Sequence, residues 1–130
     1  MTTLFSKLIA GEIPCYKVAE DERYFAFLDI NPLTKGHTLV VPKQEVDYVF
    51  DLSDKELAGL HLFAKKVARA LEQSVPCRRI GLAIVGLEVP HAHIHLIPIH
   101  SEADMLFSNP RVKMSDEEFR QTAEAIRQRL

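Results

Sequence analysis

Three histidines stand at every second position of an otherwise apolar stretch, Val89–Pro98 of the 130-residue chain. The chain has six histidines in all, and half of them fall in this stretch. Because successive side chains of a strand point to opposite faces, the run predicts a strand with an imidazole face and an apolar face. The imidazoles belong to His91, His93 and His95, and the apolar side chains to Ala92, Ile94 and Leu96. Pro90 and Pro98 have no amide proton, so they predict the two ends of this strand.

Three kinds of chemistry are compatible with this histidine face. The rings could be structural, although three on one face would need three separate polar partners. They could hold a metal ion, since histidine is a common zinc ligand, but no acidic residue at short spacing completes a metalloprotease-like pattern. They could act on phosphorus, because a neutral imidazole is a good nucleophile and its neighbours can bind phosphoryl oxygens or a leaving group. In that case the middle ring, His93, is the nucleophile, and Gly86 could let backbone N–H groups approach an anion.

The elements that would position this face follow from the spacing of apolar residues. A short opening helix is predicted near residues 4–9, and two further helices begin at the capping-box patterns Ser53–Glu56 and Ser115–Glu118. Strands are predicted over residues 16–19, 24–28, 38–41 and 79–85, in addition to the histidine strand. Paired strands with one long helix between them indicate an α+β fold with an antiparallel sheet. The last helix follows the turn signal Asn109–Pro110 and is predicted to be an appendage.

Composition limits the class of protein and its partners. Hydrophobic residues make up 47% and charged residues 26%, which is typical of a soluble globular domain. The formal net charge is -2 and no block of Lys or Arg occurs, so nucleic acid is not an expected partner. The N-terminus lacks a secretory-signal pattern and no apolar run approaches the ~20 residues of a membrane span, so a cytoplasmic protein without membrane contact is expected. Cys15 and Cys77 lie far apart and outside any Cys-x-x-Cys pair, so no disulfide or redox motif is predicted.

Four blocks of the sequence resemble one known family in both content and order. They are Leu4–Pro14, Phe25–Pro32, Gly36–Lys43 and His91–Ile97. The last block has the pattern His-φ-His-φ-His-φ-φ, in which φ is an apolar residue. Together the blocks resemble the histidine triad (HIT) family of nucleotide hydrolases and transferases, in its bacterial form, from about residue 3 to Pro98.

The resemblance implies an overall architecture and a substrate class. The fold would be a HIT-like five-stranded antiparallel sheet with one long helix, a short N-terminal helix and a C-terminal helix. A single HIT domain would occupy residues 1–130, with a core at 3–100 and an extension with a helix at 101–130. Two chains would form a homodimer with one continuous sheet. The expected substrate is a purine nucleoside phosphate conjugate, either a phosphoramidate or a dinucleoside polyphosphate, and no cofactor is implied.

The resemblance also implies a role for each residue of the site. His93 would attack the α-phosphorus and hold a nucleotidyl intermediate that water then cleaves. His95 would bind phosphate oxygens or the leaving group, while His91 and His37 would hydrogen-bond around the nucleophile. The residues implied to bind nucleotide are Leu4, Phe5, Leu8, Phe27, Asp29, Ile30, Gly86, Glu88 and Val89. Among these, Asp29 would bind the ribose hydroxyls and the apolar side chains before Gly86 would enclose the base.

Several of these residues have a simpler structural explanation. Leu4, Leu8 and Phe27 could be ordinary core residues, and Asp29 could be a turn residue ahead of Pro32. His37 could be a strand-edge histidine without a chemical task. Of the remaining histidines, His61 lies on the apolar stripe of the long helix and is expected to be structural, and His100 is expected to be exposed.

Departures from the family pattern bear on metal binding and on rate. Many bacterial relatives complete a zinc site with an N-terminal Cys-x-x-Cys pair, but Thr3 and Ser6 stand at those positions and Glu45 replaces a histidine, so no metal is expected. Leu87 stands where a glutamine often follows the glycine, and the Glu88 carboxylate would repel phosphate unless it turns away. The sequence therefore predicts a HIT-type nucleotide hydrolase. The alternatives are a nucleotide-binding regulatory protein of the same fold with weak catalysis, or a metal-dependent hydrolase.

Overall fold

The computed structural model describes residues 2–130 and contains one five-stranded antiparallel sheet in the order β1-β2-β3-β5-β4. The strands are β1 (Lys17–Glu20), β2 (Tyr24–Leu28), β3 (Thr38–Pro42), β4 (Arg79–Ala83) and β5 (Ile94–Ile99). The α-helices are α1 (Leu4–Ile9), α2 (Asp54–Ser74) and α3 (Asp116–Arg127). Two 3-10 helices that the sequence did not predict lie at Val49–Asp51 and Glu102–Met105. The predicted α+β architecture, with its five strands, long helix and two shorter helices, is confirmed.

The central strands of the sheet are buried on both faces, which explains why β2 is apolar throughout. In β2, Tyr24, Ala26 and Leu28 point into the main core beneath α2 and α3. The two residues between them, Phe25 and Phe27, point to the opposite face and form a second, smaller cluster with Phe5 of α1. This alternation is the period of a strand that is covered on both sides. The histidine site lies on the face of the smaller cluster.

Helix α2 begins where its capping pattern predicts and packs one stripe against the sheet. The Ser53 side chain accepts a hydrogen bond from the Glu56 N–H at 3.2 Å, which satisfies a free amide of the first turn. The buried stripe consists of Leu60, Phe63, Ala64, Val67, Ala70 and Leu71. The prediction that His61 belongs to this stripe is wrong, because His61 is exposed. It follows Leu60 by one residue and is therefore rotated by about 100° around the helix.

Helix α3 is part of the main core, so the prediction that it is an appendage is wrong. Its buried residues Phe119, Ala123 and Ile126 join the same cluster as α2 and the sheet. The Tyr16 ring stacks on the Phe119 ring with centroids 4.8 Å apart. The predicted capping box at Ser115 is present. The turn that precedes α3 therefore redirects the chain back onto the sheet.

Strand β5 is shorter at its start and longer at its end than the sequence predicts. Pro98 lies inside the strand, opposite Ile80 of β4, rather than ending it. Pairing with β3 stops at Leu96, so the missing amide proton of Pro98 leaves no β3 partner unsatisfied. The Pro98 carbonyl accepts a hydrogen bond from Thr34 Oγ1 at 2.7 Å. A proline is tolerated here because the sheet has already ended on that side.

Among residues 2–130, no helix is both long and apolar enough to cross a membrane.

Gly59→Ala is expected to destabilise the protein, because the added Cβ would overlap Tyr24 Oη and lie 2.9 Å from Tyr24 Cζ. Tyr24 is buried, packs on Phe63 and donates to the Glu56 carbonyl at 3.2 Å, so it has little room to move. Alanine normally favours a helix over glycine by about 1 kcal/mol, but an overpacked core loses about 1–3 kcal/mol. We therefore expect a net decrease in the free energy of unfolding, measured by urea denaturation. The control is the same substitution with Tyr24→Phe, and an equal loss in both backgrounds would contradict this explanation.

Candidate active site

The three histidines of the triad are held at the end of the β4–β5 connection and the start of β5. His95 lies within β5, between Leu39 of β3 and Ala83 of β4, so both neighbouring strands fix it. The prediction that His91 and His93 also lie in this strand is wrong. The chain before β5 bonds elsewhere, since the Ala92 N–H donates to the Val46 carbonyl at 2.7 Å, outside the sheet. The side chains still alternate as predicted, because Ala92, Ile94 and Leu96 lie in the main core.

The ring of His93 has a proton position that is set by the main chain. His93 Nδ1 lies 2.7 Å from the His91 carbonyl oxygen, which can only accept a hydrogen bond. The proton of the neutral ring is therefore on Nδ1, and Nε2 keeps its lone pair. Nε2 has no partner among residues 2–130, and no buried side-chain nitrogen or oxygen there lacks one, so this atom reaches solvent. An accessible imidazole lone pair is the requirement for a nucleophile.

His37 and His95 form a second, oppositely oriented pair. The Leu33 N–H donates to His37 Nδ1 at 3.0 Å, which assigns the His37 proton to Nε2. His37 Nε2 lies 3.0 Å from His95 Nδ1 and donates to it, which leaves the His95 proton on Nε2. His93 thus offers a lone pair and His95 offers an N–H donor. One site contains both halves of what an attack on phosphate needs.

His91 is fixed from both sides of its ring. His91 Nε2 donates to the Pro42 carbonyl at 2.7 Å, and Nδ1 accepts from Thr3 Oγ1 at 2.6 Å. Burial lowers the pKa of His91, so the ring is neutral near pH 7. Its backbone carbonyl is the acceptor that orients His93. His91 therefore supports the site through its position.

An apolar wall adjoins the His93 ring and is formed by some of the residues predicted to enclose a base. Phe5 and Phe27 are buried together, with centroids 5.4 Å apart, and Leu8 and Val89 pack against their cluster. The Phe5 ring meets the His93 ring edge-on at 5.0 Å. The other two predicted apolar contacts lie outside this cluster, since Leu4 is 49% and Ile30 67% exposed.

Asp29 lies beside the hydrogen-bonded pair of His37 and His95, and Glu88 of the β4–β5 connection is close enough to act on its pKa. Asp29 Oδ2 is 3.7 Å from His37 Nε2, and Asp29 Oδ1 accepts from the Asn31 N–H at 2.8 Å. Burial raises the pKa of Asp29, and the negative charge of Glu88 raises it further.

In the β4–β5 connection, Gly86 has a φ of 74°, which favours glycine, and Leu87 is 89% exposed. The connection between β4 and β5 covers residues 84–93, so the predicted strand over residues 79–85 is too long by two residues.

Asp29, His37 and His95 could together hold a metal ion, since their ligand atoms all lie within 4.8 Å of one another. A metal at this point would need the lone pair of His37 Nε2. That nitrogen carries the proton, because the Leu33 N–H occupies His37 Nδ1. The positions Thr3, Ser6 and Glu45 hydrogen-bond one another, and two hydroxyls and a carboxylate are a poor donor set for zinc beside thiolate or imidazole. The donor chemistry at both places favours hydrogen-bond networks over a metal.

Two residues that the sequence did not single out complete the site. The Phe107 ring meets the His95 ring edge-on at 4.9 Å. Arg111 donates from Nη1 to the Asn31 carbonyl at 2.9 Å and from Nη2 to the Phe107 carbonyl at 3.2 Å. Both lie in a segment without regular secondary structure, so no periodic pattern marks them. The lone aromatic and basic residues around Asn109–Pro110 were the available signal.

Stability is expected to fall as pH drops below about 6.5. Burial lowers the pKa of His37 to about 3 and that of His95 to about 4, from an ordinary 6.5, and the positive charge of Arg111 acts in the same direction. Between pH 6.5 and these values the unfolded chain binds protons that the folded chain does not, so stability increases with pH, by up to about 1.4 kcal/mol per pH unit for each histidine.

The measurement is the free energy of unfolding between pH 7 and pH 5, above the range in which most carboxylates titrate. His95→Gln should reduce the slope, whereas His61→Gln, which changes an exposed histidine, should leave it unchanged. A stability independent of pH over this range would contradict the neutral, buried state of the two rings.

The sheet topology and the paired histidines define a HIT-domain protein. A match to the HIT domain family spans residues 10–102, and the chain belongs to this family. Protein hit of Bacillus subtilis is 43% identical over 109 residues, which cover 78% of this chain and 73% of that protein. An adenosine 5'-monophosphoramidase of Schizosaccharomyces pombe is 35% identical over 132 aligned positions, which cover 100% of this chain and 99% of that protein.

Solved structures of the same family superpose on nearly the whole chain. A Hit-like protein from Bartonella henselae, described as involved in cell-cycle regulation, has a TM-score of 0.84 at 29% identity, covering 99% of this chain and 97% of that one. A zinc-bound histidine triad family protein from Mycobacterium smegmatis has a TM-score of 0.81 at 30% identity, covering 98% and 95%. The chain is thus similar to HIT proteins along its full length.

Proposed function

We propose that this protein hydrolyses purine nucleoside phosphate conjugates at the α-phosphate through a nucleotidyl-histidine intermediate on His93. The observation that carries the proposal is the hydrogen bond from His93 Nδ1 to the His91 carbonyl, which leaves Nε2 free to attack. As the Nε2–phosphorus bond forms, the bond to the leaving group breaks and the leaving group departs with the electron pair. A phosphate leaves as the anion, whereas an amine takes up a proton from solvent as it departs. The attacking His93 ring becomes positively charged, and the His91 carbonyl then stabilises its Nδ1–H more strongly.

The second half-reaction returns the enzyme to its starting state. A water molecule attacks the phosphorus, loses its proton to solvent, and expels His93 as a neutral ring with release of the nucleoside monophosphate. The His95 Nε2–H, oriented through His37, donates a hydrogen bond to a phosphoryl oxygen or to the leaving group in both steps. Neither step requires a metal, and no cofactor is proposed.

The substrate class is supported by the surroundings of His93 and by two relatives. The cluster around Phe5 and Phe27 offers an apolar wall for a purine, and Asp29 Oδ2, which lies 3.7 Å from His37 Nε2, offers an acceptor for ribose hydroxyls. The relatives from Schizosaccharomyces pombe and Saccharomyces cerevisiae that are called adenosine 5'-monophosphoramidase are 35% and 36% identical. These relatives favour a phosphoramidate as the first substrate to test.

The experiment is a hydrolysis screen of adenosine and guanosine phosphoramidates beside dinucleoside polyphosphates, with and without a chelator. Denaturing mass spectrometry of rapidly quenched samples would detect the nucleotidyl adduct. Turnover that persists after chelation, together with the adduct, is the expected result. Loss of turnover on chelation, restored by zinc, would instead identify a metal-dependent hydrolase.

A second candidate is a nucleotide-binding regulatory protein with weak catalysis. It is favoured by the β4–β5 connection, where Leu87 offers no polar group and the Glu88 carboxylate is close enough to raise the pKa of Asp29. Tight nucleotide binding without turnover of any compound in the screen would support this candidate.

We also propose a cytoplasmic homodimer whose HIT core is residues 3–100. Strand β4 pairs with β5 on one side and forms an edge of the sheet, with Leu82 49% exposed. An unpaired edge strand favours association with a second strand, and a second copy of β4 would extend the sheet. Sedimentation should give about twice the 14.8 kDa chain mass. A monomer at micromolar concentration would be inconsistent with this assembly.

A further inference from the structure

The segment after the HIT core returns to the histidine site and is held there by the main chain. Its Phe107 and Arg111 lie beyond residues 10–102, the part of the chain that matches the HIT family. The Val112 N–H donates to the Pro32 carbonyl at 2.9 Å, and Arg111 Nη1 donates to the Asn31 carbonyl at 2.9 Å. Both acceptors belong to the β2–β3 loop, which also carries Asp29. The guanidinium of Arg111 is therefore fixed relative to the site.

The charge of Arg111 acts on the groups that would meet a substrate. It lowers the pKa values of Asp29, His37 and His95 alike. The negative charge of Glu88 opposes the effect of Arg111 at Asp29 and raises the pKa of that carboxyl. At His37 and His95, burial, neighbouring histidines and Arg111 all lower the pKa. Arg111 therefore contributes positive charge near His95, in the same site as the Asp29 carboxylate, whose Oδ2 lies 3.7 Å from His37 Nε2.

Arg111 also has the capacity to bind an anion. A guanidinium carries five N–H donors, and the contacts to Asn31 and Phe107 come from Nη1 and Nη2. Among residues 2–130, no carboxylate lies within ion-pair distance of Arg111. The remaining donors are available, and the residue is exposed.

We propose that Arg111 selects substrates by the charge of the leaving group, favouring nucleotide conjugates whose leaving group is anionic, such as a second phosphate or a carboxylate, over those with a cationic one. Phe107 borders His95, the ring whose Nε2–H faces the leaving group or a phosphoryl oxygen, and the Arg111 guanidinium lies 5.9 Å from the Phe107 ring centroid. A negative group beyond the α-phosphorus is attracted by Arg111, and an ammonium is repelled. This inference rests on the proposed hydrolase function and specifies its substrate.

The test uses a matched series of adenosine 5'-phosphoramidates that differ in one remote charge. Their amines are glycine, propylamine and diaminoethane, which give an anionic, a neutral and a cationic leaving group on the same P–N bond. Wild type should rank kcat/KM in that order. Arg111→Gln should reduce the ratio of the anionic to the cationic substrate by about three- to tenfold, as expected for one partly exposed charge.

Two controls separate charge from structure. Lys113→Gln removes an exposed cation from the same segment and should leave the ratio unchanged, while Arg111→Lys should keep most of it. If Arg111→Lys and Arg111→Gln lower the ratio equally, Arg111 merely braces the loop and the proposal is overturned. Raising the salt concentration from about 0.05 to 0.5 M should reduce the wild-type ratio without any substitution, and a ratio unaffected by salt would also overturn it.

The outcomes also distinguish this inference from the proposed function. If wild type hydrolyses none of the three compounds and forms no adduct, the proposed function fails. If wild type hydrolyses all three and Arg111→Gln preserves their ratio, the function stands and the role of Arg111 is rejected.

Discussion

His93→Ala is expected to abolish nucleotide hydrolysis, with a loss of at least about a thousandfold in kcat, while nucleotide still binds. The loss is large because no other ring at the site has a free lone pair in the right position. His95 Nε2 carries a proton, and both nitrogens of His91 are engaged with Pro42 and Thr3. Binding should survive, since Phe5 loses one edge contact but still packs on Phe27, with ring centroids 5.4 Å apart, within the same apolar cluster. Steady-state kinetics and calorimetry with nucleoside monophosphate would measure the two effects.

The matched control is His100→Ala, which removes an exposed histidine close to the end of β5. It should retain full activity, and its quenched samples should contain the nucleotidyl adduct that His93→Ala lacks. If His93→Ala keeps a near-normal rate and His91→Ala loses it, the nucleophile has been assigned to the wrong residue.

His37→Asn and His37→Gln are expected to differ in kcat, because each preserves one of the two hydrogen bonds of His37. These bonds join Nδ1 to the Leu33 N–H and Nε2 to His95 Nδ1. The oxygen of asparagine can accept from the Leu33 N–H, as His37 Nδ1 does, but the side chain is too short to donate to His95. Glutamine reaches the position of Nε2 and can donate to His95 Nδ1. Without a donor to Nδ1, the His95 ring can move its proton from Nε2 to Nδ1, and the Nε2–H that would face the substrate is lost. We expect kcat to fall about a hundredfold in His37→Asn and about tenfold in His37→Gln.

Both variants replace a buried imidazole, so stability serves as the internal control. Their free energies of unfolding should fall by similar amounts, and KM should change less than kcat. Equal losses of kcat in the two variants would show that packing around His37, rather than its proton, supports the reaction.

Much of the fold could be predicted because local signals agreed with the tertiary structure. Ser53 and Ser115 cap their helices as their patterns indicate, and β2 has the predicted bounds. The predicted bounds of β5 are wrong because contacts with residues distant in sequence determine where this strand begins and ends. The amide of Ala92 bonds to Val46 instead of entering the sheet, and Pro98 fits inside β5 because β3 has already ended. Neither fact can be derived from residues next to it in sequence.

The candidate site likewise has features that the sequence predicts and features that only the tertiary structure shows. The spacing of His91, His93 and His95 predicts their shared face, and the resemblance adds His37 and Asp29. The proton positions depend on three main-chain groups, those of Leu33, Pro42 and His91, which a pattern of side chains does not reveal. Phe107 and Arg111 reach the site through contacts with His95 and Asn31, which are far from them in sequence. Their role required the tertiary structure.

The hydroxyl of Thr3 joins a surface helix to the histidine site through a single oxygen atom. It accepts the Ser6 N–H that caps α1, a helix of 6 residues, and donates to His91 Nδ1. Helix ends move on the nanosecond-to-microsecond timescale, and the first turn of a helix this short is marginally stable. Each time this turn frays, His91 loses a partner that holds its ring, and the carbonyl that orients His93 is less constrained. Under the proposed mechanism, the fraction of molecules in which His93 is oriented for attack therefore depends on how often this turn of α1 is closed.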